Sequence, residues 1–143
     1  MVPDNFRLLK ARWPELYQHA SLAERYVFAD PHTAAIKLRC FAEVLVGLLY
    51  RDLSLPSEPT DGFFEKLKYP AFQDVVGYIV LQKLHALRMI GNKAAHGGFI
   101  DSSVSLSLIE DAYLIGLWFY KTYSGESADS YPPFTAPVEA TEL

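Results

Sequence analysis

The 143-residue chain has one cysteine, Cys40, so it cannot close an internal disulfide. No lysine follows a glycine, and a phosphate-binding P-loop needs that pair to bring backbone amides and an ammonium onto a nucleotide. A metal-dependent nuclease of the restriction type commonly sets an acid two places before a lysine. Here those positions hold Leu8, Ala35, Phe64, Lys66, Leu81, Gly91 and Phe119. His19, His32, His85 and His96 show neither H-x-x-x-H nor H-E-x-x-H spacing, so no zinc site and no other metal site is expected. The longest apolar run, Ala112 to Tyr120, is nine residues, against about 18 for a bilayer span. With no apolar stretch near residue 1, a cytoplasmic protein is expected.

A basic excess is missing too. The net charge is −4, and Glu126, Asp129, Glu139 and Glu142 account for it, leaving 13 acids against 13 bases in residues 1–121. Nucleic-acid-binding domains usually carry a positive surplus. Short basic groups, Arg7, Lys10 and Arg12 or Lys66 and Lys68, offer limited material for DNA contact and read more simply as solvated faces.

Apolar and aromatic residues, by contrast, are plentiful, at 50% and 14%. Their spacing is helical, which predicts an all-α bundle of about five helices. A short helix over Asn5–Ala11 precedes one over Pro14–Phe28, where Leu16, Ala20, Ala23 and Val27 recur at threes and fours. Asp30-Pro31 supplies an N-cap and a first-turn proline for a helix to Leu53. This helix is apolar nearly all round, which predicts that it is central and most buried, with Cys40 a small core residue. Leu55–Gly62 reads as a loop, Phe63–Lys68 as a short helix ending before Pro70, and Phe72–Ala95 as a long helix closed by Gly97-Gly98. Asp101 caps the last helix, to Tyr123; Ser103–Leu108 alternates like a strand, but the apolar run continuing to Tyr120 is too long for one. Residues 1–123 form the domain, and 124–143, rich in Pro, Ser, Ala and Glu, read as a tail or linker to downstream domains.

Arg88, Asn92 and His96 stand at i, i+4 and i+8, on one helix face. Arg39 and Glu43 form an i, i+4 pair on the central helix. Charges inside apolar helices need partners, so a structural polar network or partner-docking site is expected from Arg39, Glu43, Arg88, Asn92 and His96, with no catalytic residue among them.

Three segments, DPHTAAIKLRCFAEVLVGLL, LHALRMIGNKAAHG and LIGLWFYKTY, resemble the N-terminal helical region of the R (HsdR-type) subunit of type I restriction enzymes, over about residues 4–123. That region is similar to the HEPN class of helical bundles, some of which are ribonucleases with an Arg-x(4–6)-His motif. Counting back from His96, the arginine would fall at Met89, Ile90 or Gly91; Arg88 is one residue too far. The resemblance therefore implies a non-catalytic accessory or interaction module. It also implies a parent protein that uses ATP and Mg in a translocase and nuclease, with methylation and specificity subunits and DNA as partners. The alternative is a stand-alone HEPN-type ribonuclease or toxin–antitoxin component.

Overall fold

The computed structural model describes residues 2–140. A 3-10 turn at Arg7–Leu9 leads into five α-helices: α1 (Pro14–Tyr26), α2 (Pro31–Asp52), α3 (Phe63–Lys66), α4 (Pro70–Ala95) and α5 (Ser102–Tyr123). No strand occurs among the described residues, and Ser103–Leu108 is helical. The capping chemistry places the starts. The Asp30 carboxylate accepts from the Thr33 amide at 3.1 Å with Pro31 at the first position, and Asp101 accepts from the Val104 amide at 3.0 Å. Each satisfies an amide that has no partner within its helix.

α2 packs against α1, α4 and α5. Leu38, Phe41 and Leu45 are fully buried on it, and meet Leu16 of α1, Leu84 and Leu87 of α4, and Leu108 and Ile115 of α5 in one core. Each such side chain contributes roughly 1.5–3 kcal/mol by leaving water. The segment before α1 closes one end: Phe6 meets Phe41 and Tyr113 edge to face, with centroids 5.7 and 6.2 Å apart.

Four expectations are corrected. α2 and α5 each bury nine residues, so the burial expected of α2 alone is shared, because α5 is the more apolar of the two. Cys40 is half-buried rather than in the core, since it lies off the Leu38–Phe41–Leu45 face. Pro70 starts α4 instead of preceding it, the first turn being where a missing N–H costs nothing. α4 is broken at Gly77, whose φ of 78° and ψ of 170° interrupt the helical ladder, a conformation open to a residue without Cβ.

The tail also differs from expectation. Residues 124–140 hold no helix or strand, as their composition suggests, but they lie against the bundle. Phe134 packs on Tyr113 at 5.1 Å and Tyr131 on Tyr120 at 5.8 Å, Arg12 donates to the Ser124 carbonyl, and Pro137 is buried. Proline-rich composition excludes regular hydrogen bonding, not docking through aromatic side chains. Glu142 and the rest of 141–143 lie outside the described residues.

Two glycines test this packing. A Cβ on Gly91 of α4 would stand 2.5 Å from the Arg39 Cβ on α2, whereas one on Gly47 of α2 would meet nothing within 4 Å. Gly91→Val is expected to cost about 1–3 kcal/mol by overpacking the α2–α4 contact. Gly47→Ala is expected to gain up to ~1 kcal/mol from helix propensity. Denaturant melts of both variants check the pair of signs.

Candidate functional site

The five polar residues sort into separate places. Arg39 and Glu43 pair one turn apart on α2, with nitrogen and oxygen 3.2 Å apart, but their side chains are 32% and 42% exposed. The Arg39 stem lies along Gly91, and its Nε is buried without a partner. Arg88 makes no ion pair with Glu43. Its guanidinium sits over the Phe64 ring of α3, 4.7 Å from the centroid, with the Lys68 ammonium over the same ring at 5.0 Å. One Arg88 nitrogen is 3.5 Å from His85 Nδ1, and burial first, then the Arg88 charge, lowers the His85 pKa. Asn92 is half-buried and His96 is exposed at the end of α4. Among the described residues no hydrogen bond joins either side chain to Arg39, Glu43 or Arg88.

The i, i+4 pairing of Arg39 with Glu43 is thus present but partly solvated, and Arg88 belongs to a separate cation–aromatic stack between α3 and α4. The reason is helical phase: Glu43 falls opposite the Phe41–Leu45 core face. With Glu43 turned to Arg39, Arg88 has the Phe64 ring as its partner. No group of three His, Cys, Asp or Glu that could hold a metal occurs among the described residues.

The polar groups that are buried lie elsewhere. Glu24 of α1 is 2% exposed and accepts from Asn5 Nδ2 at 2.7 Å; burial pushes its carboxyl up to about 7. A sequence signal exists, because Glu24 stands at i+4 from Ala20 on the face that buries Leu16, Ala20 and Val27. His32, in the first turn of α2, has Nε2 3.0 Å from the Gly98 carbonyl and 3.2 Å from the Ile100 amide nitrogen. Ser105, fully buried, donates to the Pro31 carbonyl at 2.7 Å. Together they fasten the start of α2 to the α4–α5 turn.

One exposed apolar patch lies at the Gly77 break, while other exposed apolar side chains, such as Phe99 and Val138, stand apart from it. Val76, Tyr78, Ile79, Val80, Leu114 and Trp118 line a hollow of about 520 Å³ between α4 and α5, with Tyr78 76% and Ile79 70% exposed. The Lys83–Asp111 ion pair, 3.1 Å, ties α4 to α5 beside it. No helix among the described residues is long and apolar enough to cross a membrane.

Comparison with known proteins gives one informative match. The chain is 27% identical, over all 143 of its residues, to the type I restriction enzyme EcoKI endonuclease subunit of Escherichia coli strain K12. It spans 12% of the length of that subunit. No protein-family model and no solved structure matches the chain.

Two expectations follow from the electrostatics. Because the Arg39–Glu43 pair is partly solvated, Glu43→Ala is expected to shift stability by at most about 1 kcal/mol, not the ~3 of a broken buried pair; a denaturant melt checks this. Glu24 has the opposite character. Its pKa rises from the ordinary 4.5 to about 7 in the fold, so its favourable contribution is complete below pH 4.5 and is lost as pH rises through about 7. Glu24→Gln is therefore expected to be more stable than the wild type by about 1–3 kcal/mol at pH 8, with the difference shrinking towards pH 4. Melts at the two pH values measure it.

Proposed function

We propose, from a likeness to a type I restriction endonuclease subunit that extends over the whole chain, that the protein is an accessory, interaction module of an R subunit, with a HEPN-like bundle that does no catalysis itself. The observation that carries the reading is a match covering 100% of this chain and 12% of an endonuclease subunit, in a sequence without a Gly-Lys pair or an acid-x-Lys motif. ATP and Mg chemistry then belongs to other parts of the parent protein. The partners of the module are the nuclease and translocase domains of the same polypeptide and, through them, the methylation and specificity subunits and DNA. A cytoplasmic location goes with that assignment.

The surface supports docking better than chemistry. Tyr78 and Ile79 project apolar area beside Leu114 and Trp118, and clustered apolar exposure of this kind commonly marks a protein contact. The cations Lys68 and Arg88 are engaged with Phe64, and residues 1–121 carry no net charge to drive polyanion binding.

Deleting residues 1–123 from the parent R subunit is expected to impair assembly with its partner subunits or DNA cleavage, while the ATPase motifs are left in place. Sedimentation of the complex, DNA-stimulated ATP hydrolysis and cleavage assays read the result. Normal assembly together with normal cleavage would overturn the docking role.

A further inference from the structure

Glu24 is an acid in the core without a cation. Among the described residues no lysine, arginine or histidine lies within 4 Å of its carboxylate. The neighbours that bear on its charge are Asn5, which donates to it, and Asp4, whose charge opposes its ionisation. Tyr17, on the same helix, donates to Asp4 at 2.8 Å and feels the Glu24 charge. α2, α5 and the tail supply no ion pair to it.

Asn5 has its side chain fully committed. One Nδ2 hydrogen goes to Glu24, the other to the Thr135 carbonyl at 2.8 Å, and Oδ1 accepts from the Thr135 amide at 2.8 Å. The amide that serves the buried acid is also the amide that holds the tail. We propose that residues 128–137 form a strap whose seating is coupled to the protonation of Glu24, seated while the acid is neutral and released around Thr135 when it ionises.

The release follows from where an ionised carboxylate can find water. A buried anion without a counter-charge is costly. Helices α1, α2 and α5 are held to one another by their side chains throughout the core, but the cover at Asn5 consists of non-helical segments. Moving outward past Asn5 is the cheaper route to water, and Asn5, following the carboxylate, takes both Thr135 bonds with it. The Tyr113–Phe134 and Tyr120–Tyr131 contacts do not involve Glu24, so they retain the flanks of the strap. Burial brings the ionisation of Glu24 to about pH 7, so the strap is seated below that value and loosens as pH rises through it. The inference concerns this chain alone and stands independently of the docking role.

The test is nuclear magnetic resonance on the 143-residue chain between pH 5.5 and 8.5. It follows the Thr135 amide and its order parameter, together with the Glu24 side-chain carboxyl carbon. In the wild type the Thr135 signal is expected to move with the same midpoint as the Glu24 carboxyl, near 7, its order parameter falling from ~0.85 to below ~0.6. In Glu24→Gln the strap should stay ordered at every pH, and in Asn5→Ala it should be loose at every pH. A Thr135 signal that does not change, or one that changes identically in Glu24→Gln, would overturn the coupling. Should the variants not fold, wild-type midpoints for Thr135 and Glu24 that differ by more than about one pH unit overturn it equally.

Discussion

The burial of α2 is the constraint on which the other elements depend. A 22-residue helix carrying Leu38, Phe41, Leu45, Val46 and Leu49 on its inner side cannot be covered by one neighbour. α1, α4 and α5 each take part of it, and the 3-10 turn at Arg7–Leu9 closes the end where Phe6 meets Phe41. Its start is held in place by polar bonds: Asp30 caps it, while His32 and Ser105 tie it to the α4–α5 turn. Close approach to α4 follows from Gly91, because any Cβ there would collide with the Arg39 stem. Packing of this density leaves little room for adjustment, which is why single glycines matter in it.

Much of this fold was legible in the residues. Pro14, Asp30-Pro31 and Asp101 mark helix starts by local chemistry that needs no tertiary partner, and the apolar spacing after them is helical over α1 and α2 and, once the strand-like Ser103–Leu108 is read with the run that follows it, over α5. Departures came where tertiary context decides. Gly77 is an ordinary helix glycine in the sequence, and its positive φ is visible only in the chain path. Pro70 carries the same signal as a helix breaker or a helix starter. The composition of the tail reports the absence of regular structure but not the docking of Tyr131 and Phe134 on α5.

The polar residues were harder, for a specific reason. Arg39, Glu43, Arg88, Asn92 and His96 attract notice because they are charged or polar in apolar helices, yet burial depends on helical phase against neighbours. Glu43 turns outward and His96 stands at a helix end. Glu24 occupies an inward position on the shorter and more polar α1, where a charge attracts less notice. The partner of Glu24, Asn5, and the partner of Asn5, Thr135, are 19 and 130 residues distant in sequence, which no local pattern reveals.

At the level of function, the central claim is that this bundle is a non-catalytic piece of a longer restriction subunit. It rests on similarity to 12% of an endonuclease subunit and on chemistry that the 143 residues lack. The most direct measurement is to read the coding sequence beyond codon 143 and confirm the size of the natural polypeptide by mass spectrometry. The account predicts one continuous chain that carries Gly-Lys-Ser/Thr and acid-x-Lys motifs after the tail. A natural protein that stops at residue 143, with no such motifs in the same chain, would contradict it.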